Sequence, residues 1–403
     1  MKDNAQALGV DSAGNLYVTG FSDAGDGNYD YATIKYDSEG NELWVVHYDG
    51  KSHSVDWVRD LAIDNKDNVI VSGSSTGEGT GLDFLTVKYD AKGKQLWANR
   101  YDGPGHRNDR VKALAVDTAG NVYVAGNISD ERGCDDAVTI KYGASGDLLW
   151  ETPSNSQCNT RSLSSVAVDL DGNVYAVGKA ERELDNTDFI IIKYDSMGKE
   201  LWTQYHDWSA NDDARFLSLD ATGNIYVTGA SLRYTEGAGR IGHEDIATVK
   251  YDPSGRELWT ASYNGGSGLN DVASSLRVDD EGYVYISGTT YSSIAESTLR
   301  SNADIITIKY NQDGDQMWSA AYGGPGETYD IAKAMALDAS GGVYVLGSER
   351  DSVERKSWLV TVKYGPDGQG QWVAREDGVA TGRDESLAVD NAGNVWAIGS
   401  DVT

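Results

Sequence analysis

The chain has 403 residues, with 63 Asp and Glu against 34 Lys and Arg, and a formal net charge of -29. That balance speaks against a nucleic-acid backbone or an anionic membrane as partner, since both recruit clustered basic residues. No apolar run approaches the ~20 residues needed to span a bilayer, and 47 glycines with 24 tyrosines but 4 phenylalanines fit short strands and tight turns better than helices.

The first residues, Met1-Lys2-Asp3-Asn4-Ala5-Gln6, lack the apolar core of a secretory signal. The chain is therefore expected to be either cytosolic or a portion of a longer product, and its repeats favour the second option. From there on, two signatures alternate. Asp-x-x-Gly-Asn-x-Tyr-Val-x-Gly begins at Asp11, Asp64, Asp117, Asp169, Asp220, Asp279, Asp338 and Asp390, with Asp67 in the glycine position of the second copy. The other carries a Lys-Tyr pair, with the lysines at 35, 88, 141, 193, 250, 309 and 363. A tryptophan follows nine positions later each time, from Trp44 to Trp372. Successive lysines lie 53, 53, 52, 57, 59 and 54 apart, a period that marks an internal repeat.

Each repeat reads as four strands, a to d. In the second these are 58–63, 68–72, 84–89 and 95–101, and strand c is rich in the β-branched residues of an enclosed strand. Asp-x-x-Gly joins a to b and c to d. Glycine supplies the positive φ of a tight turn, and the aspartate can bond its own backbone. Tight turns make antiparallel hairpins, so repeated four-stranded units predict an all-β fold, a single β-propeller domain over 1–403, rather than a parallel solenoid.

The repeats run over about 5–48, 58–101, 111–153, 163–206, 214–263, 273–322 and 332–375, with a half-repeat at 385–400. Thirty strands result. They are expected to form seven complete four-stranded blades and a two-stranded eighth, with eight blades favoured and seven as the alternative.

The a–b and c–d turns are nearly invariant between repeats, whereas the b–c and d–a loops vary. The longest are 230–244 and 289–303. Such a variable face is where a scaffold presents a binding surface. Aromatic residues expected there (Trp57, Trp208, Tyr234, Tyr291 and Tyr329, with Tyr29 and Trp358) could stack on sugar rings, and His243 lies among them. These residues, Tyr29 and Trp358 excepted, are the candidate ligand-binding set.

Aspartates open strand a in six repeats (Asp3, Asp56, Asp109, Asp212, Asp271 and Asp330). Cations three residues later (Arg59, Lys112, Arg215 and Lys333) are expected to pair with them. Cys134 and Cys158, the two cysteines of the chain, belong to the third repeat and are a candidate disulfide, which implies an oxidising compartment. Calcium loops need converging oxygens in a Asp-x-Asp-x-Asp-Gly pattern that is lacking here, and zinc spacing is absent, so no metal ligand set and no cofactor are assigned. Neither Gly-x-Ser-x-Gly nor His-Glu-x-x-His nor a phosphate-cradling loop occurs, and no catalytic residue is assigned.

The Asp-x-x-Gly-Lys-x-x-Trp form resembles the tryptophan-docking motif of eight-bladed quinoprotein dehydrogenases, without the cysteine pair of that family. Across the chain, Val-Asp-x-x-Gly-Asn-x-Tyr-Val-x-Gly alternating with Thr-x-Lys-Tyr-Asp-x-x-Gly-x-x-Leu-Trp resembles the bacterial SBBP-type β-propeller repeat. That resemblance implies an exported or cell-surface bacterial protein, carries no site residues over, and departs at Trp358, where other repeats start strand c with aspartate. The expected function is a non-enzymatic binding or adhesive module, with a protein or glycan ligand on the b–c/d–a face. The alternatives are a propeller enzyme acting on polysaccharide, or a structural repeat that self-associates through its incomplete eighth blade.

Overall fold

The computed structural model describes residues 3–23, 25, 28–153, 160–183, 186–208, 210–234, 242–265, 268–293, 301–325, 328–351, 356–377, 379–380 and 386–401. It has the all-β propeller arrangement: seven four-stranded antiparallel blades and an incomplete two-stranded one. The chain falls into two compact units, 1–206 and 207–403. The first holds blades one to four, spanning 4–48, 56–101, 110–153 and 161–206. The second holds blades five to seven, spanning 212–263, 271–322 and 328–377, and the eighth pair, Ser386–Val389 with Val395–Ile398.

Two further two-residue strands extend the expected thirty. Val379–Ala380 pairs antiparallel with Ser400–Asp401, on either side in sequence of the eighth pair. They carry no repeat signature, which is why the pattern missed them.

Why the signatures fold as they do is visible in any blade. In blade one, strand a (Asn4–Val10) meets strand b (Leu16–Asp23) through a turn closed by the N–H of Gly14 donating to the Asp11 carbonyl at 3.0 Å. Asp11 Oδ1 accepts the N–H groups of Ala13 and Asn15, and the Asn15 amide reaches the same carboxylate. Gly14 sits at φ 82; in blade two Asp67 takes that place at φ 57, a left-handed conformation that aspartate tolerates better than most residues.

The strand-c lysine is buried and turned back on this turn. Lys35 Nζ lies 3.1 Å from Asp11 Oδ2, and Lys88 Nζ lies 2.8 Å from Asp64 Oδ2. Over the lysine sits the signature tyrosine: Lys141, Lys193, Lys250 and Lys363 each lie within 5.0 Å of the ring centre of Tyr123, Tyr175, Tyr226 and Tyr344. In blade one Asp11, Asn15, Tyr17 and Lys35 thus form one polar network at the end of the hairpin, which is what burial of a charge requires.

The tryptophan that opens strand d reaches the next blade. Indole N–H groups of Trp44, Trp97, Trp150, Trp259 and Trp318 donate to the carbonyls of Ala91, Ala144, Ser196, Gln312 and Pro366, at 2.9–3.2 Å. Each ring lies over the glycine of that next c–d turn. A Cβ on Gly198 would come 2.6 Å from Trp150 Cδ2, and one on Gly368 would come 2.6 Å from Trp318 Cδ2. Among the described residues no such turn follows Trp372 of blade seven, the eighth pair having no strands c and d there. Its side chain is 40 % exposed, and all eight residues of its strand, Gly370–Asp377, are exposed.

Candidate functional site on the loop face

The extra sequence of blades five and six goes partly into longer hairpins. Strand b of blade five (Ile225–Tyr234) and strand c (Gly242–Tyr251) have ten residues each, against eight in blade one. Tyr234 pairs with Gly242, Arg233 with His243 and Leu232 with Glu244. In blade six, strands Val284–Ser293 and Ser301–Tyr310 are lengthened in the same way, with Tyr291 opposite Ala303. Tyr234, His243 and Tyr291, expected in or near loops, therefore stand on extended strands. Residues 235–241 and 294–300 of the two long loops lie outside the described residues.

A row of polar and aromatic groups crosses these hairpins within the second compact unit. Arg215 Nε lies 3.3 Å from Asp213 Oδ2, and its Nη2 lies 3.6 Å from Glu244 Oε2. The Glu244 N–H donates to Asn270 Oδ1 at 3.0 Å, and the Asn270 carbonyl accepts the Tyr291 N–H at 3.0 Å. Ala303 bridges to Tyr329 at the start of blade seven, which brings two phenols together: Tyr329 OH donates to Tyr291 OH at 3.1 Å. Their rings meet edge to face at 5.9 Å. Burial first, then the neighbouring Tyr329 phenol and the charge of Glu244, push the Tyr291 phenol well above its ordinary value.

Beneath this row Asp245 is buried between Arg233 Nε, at 3.1 Å, and His243 Nε2, at 3.4 Å. Burial raises its carboxyl, and the charges of His243 and Arg233 oppose the rise. Of the other candidate residues, Trp57 projects from strand Asp56–Ile63 of the first compact unit with 46 % of its surface exposed. Tyr234 is 49 % exposed, and Trp208 is half-buried ahead of blade five. The row brings together Tyr291 and Tyr329, and Trp208, Tyr234 and His243 share their compact unit. Cys134 is disulfide-bonded, and Cys158 lies outside the described residues.

Five of the six strand-a aspartates cap the loop that precedes them: backbone N–H groups of Gly50, Gly103, Trp208, Gly265 and Gly324 donate to Asp56, Asp109, Asp212, Asp271 and Asp330 at 2.6–2.8 Å. Arg215 turns instead to Asp213 and Glu244, because the carboxylate of Asp212 faces that loop backbone. A carboxylate buried against an N–H is short of compensation, and burial raises Asp109 and Asp330 to about 6.

The departure at Trp358 also has an account. In blade two, Arg100 Nη1 lies 3.0 Å from Asp83 of strand c and donates to the Ser75 carbonyl of strand b. In blade seven the matching Arg375 finds its carboxylate on strand b, at the fully buried Glu349 (Nε to Oε2 3.0 Å), and stacks 4.4 Å over the Trp358 ring. The carboxylate has changed strands and the arginine has kept a partner.

No protein-family model matches the chain. Among curated proteins it is similar to an uncharacterized WD repeat-containing protein of Acanthamoeba polyphaga mimivirus, at 22 % identity over 438 residues, covering 78 % of this chain and 31 % of that one. The chain thus spans about a third of that relative. Among solved structures it is similar to the β-propeller domain of the Trilobed protease from Pyrococcus furiosus, which has an open velcro topology (TM-score 0.50, 10 % identity, 92 % of this chain and 95 % of that one). An ulvanlyase from a polysaccharide lyase family matches at TM-score 0.50 and 12 % identity, over 96 % and 88 % of the two chains. At these identities the likeness concerns the propeller fold. Among the described residues no helix is long and apolar enough to cross a membrane.

Proposed function

We propose that the protein is a polysaccharide-binding propeller of an exported, SBBP-type bacterial repeat protein, with its ligand on the row Arg215–Glu244–Tyr291–Tyr329. The observation that carries this reading is the Tyr291–Tyr329 pair beside a guanidinium–carboxylate pair. Half-exposed rings offer stacking faces, while two phenols, an arginine and a carboxylate offer the planar donors and acceptors that sugar hydroxyls need. A net charge of -29 repels polyanions at range, so neutral polysaccharides are the favoured class.

Affinity electrophoresis and calorimetry against neutral and acidic polysaccharides test the proposal. Tyr329→Ala or Arg215→Ala should weaken binding at least about tenfold, roughly 1.4 kcal/mol, with the melting temperature little changed. Binding that survives both substitutions, or no binding by any polysaccharide, would sink it.

A second reading is cleavage at the same row. It is favoured by one feature: the Tyr291 and Tyr329 hydroxyls and the Glu244 carboxylate stand along one row, a set from which an acid and a base could be drawn. The matched ulvanlyase shows that a propeller can host polysaccharide lyase chemistry. Appearance of unsaturated uronides or new reducing ends, lost in Tyr291→Phe, would decide for it.

A further inference from the structure

Within the first compact unit the start of strand c, the end of strand d and the start of the next strand a bring three aspartates together twice. One triad is Asp83, Asp102 and Asp109; the other is Asp30, Asp49 and Asp56. In each, carboxylate oxygens of all three residues lie within 4.8 Å of one another. Both triads have the same sequence spacing of 19 and 7, so the repeat itself builds the arrangement.

Carboxylates do not gather in this way without compensation. Asp83 and Asp109 are 1 % and 0 % exposed. Asp83 Oδ2 is used by Arg100 and by Thr80 Oγ1, but Asp83 Oδ1 and Asp102 Oδ1 are buried with no hydrogen-bond partner, as is Asp56 Oδ1 in the other triad. A buried, unpaired carboxylate oxygen is expensive. Arg100 offsets one of the three charges, and His106 touches Asp102 only from the exposed rim, with Nδ1 2.5 Å from Oδ2. Three carboxylates against one guanidinium and one rim imidazole leave the junction negative at its buried end, as a cation site requires.

We propose that the Asp83–Asp102–Asp109 junction binds a divalent cation, and that Asp30–Asp49–Asp56 binds a second in the same manner, with calcium as the preferred ion. The donors are all hard oxygens, which exclude soft metals. Calcium–oxygen distances of about 2.3–2.6 Å allow oxygens on one ion to stand up to about 5 Å apart, whereas magnesium at about 2.1 Å would need a tighter set. Each set keeps its oxygens within 4.8 Å of one another, a separation that oxygens on one calcium ion can have. In blades five and six the position of Asp49 and Asp102 is taken by Asn264 and Gly323, so the triad is a property of particular blades and not of the propeller fold. Each cation would tie strand c and strand d of one blade to strand a of the next, and so would act as a clamp between blades.

The test is calorimetric titration of CaCl2 and MgCl2 into the full chain after chelator treatment, with thermal unfolding alongside. Asp102→Asn and Asp49→Asn change the most exposed member of each triad and leave the other two aspartates in place. We expect calcium to bind and raise the melting temperature, each variant to lose one binding equivalent, and magnesium to bind at least tenfold more weakly. Circular dichroism in chelator shows that each variant is folded. No calcium heat and no thermal shift at millimolar calcium, or folded variants that keep every equivalent, would overturn the proposal.

Discussion

Aspartate has two opposite roles in this chain, and position decides between them. At the a–b turns burial alone would raise the carboxyl of Asp117 or Asp220. Hydrogen bonds from the following asparagine, the turn backbone and the signature tyrosine outweigh burial, and the net shift is downward. At the start of strand a, Asp330 accepts only the Gly324 N–H and the Thr328 hydroxyl, and burial wins, to about 6. The signs then differ. Asp330, raised above its unfolded value of 3.8, favours the fold most below about pH 4, and that contribution is lost as pH rises through 6. Asp117 and Asp220, held low, favour the fold above about pH 4 and lose their contribution in stronger acid. Asp330→Asn should therefore flatten the dependence of stability on pH between 4 and 6, by on the order of 1–2 kcal/mol. Urea unfolding of both proteins at pH 4.5 and 7 measures it; equal slopes would contradict the assignment.

At the scale of the element, the c–d turn glycine meets two demands that can be separated. Gly40 and Gly198 share a left-handed backbone, φ 84 and 83. Nothing stands within 4 Å of a Cβ at Gly40, while Trp150 stands 2.6 Å from one at Gly198. Gly40→Ala should cost only the backbone term of about 1 kcal/mol. Gly198→Ala should cost about 1–3 kcal/mol more, because the indole must leave its turn. Similar losses of unfolding free energy in the two variants would mean that the tryptophan adapts freely.

Strands, turns and the indole contacts were legible because each is written in residues close together in the chain: Asp-x-x-Gly for the turn, nine positions from lysine to tryptophan. The candidate sites were less so. Tyr291 and Tyr329 were recognisable as aromatics of the variable face, but their meeting depends on a bridge at Ala303 between two blades. The aspartate triads draw on three strands of two blades, and only comparing the 19 and 7 spacings across repeats would have disclosed them. Glu349 replaces the missing strand-c carboxylate from a neighbouring strand, which no single-strand alignment of repeats reveals.

For the whole molecule, we propose that the two-stranded eighth blade is an edge for association. Among the described residues Val395–Ile398 pairs with Ser386–Val389 alone, and an edge without a further strand is a template for another. Sedimentation across a concentration series should show association that weakens when a lysine replaces Val395; a monomer at every concentration would leave that edge without such a role.

Trp372 makes the question observable by light. Its indole is the one whose next-blade turn the repeat does not supply, and at 40 % exposure it is open to water, where indole emission shifts to the red. The difference spectrum between the protein and its Trp372→Phe variant isolates that single emitter. Whatever segment lays a c–d turn across it, from this polypeptide or a neighbour, must move the difference band to the blue. The last tryptophan of the repeat is thus an intrinsic optical gauge of whether the propeller is complete.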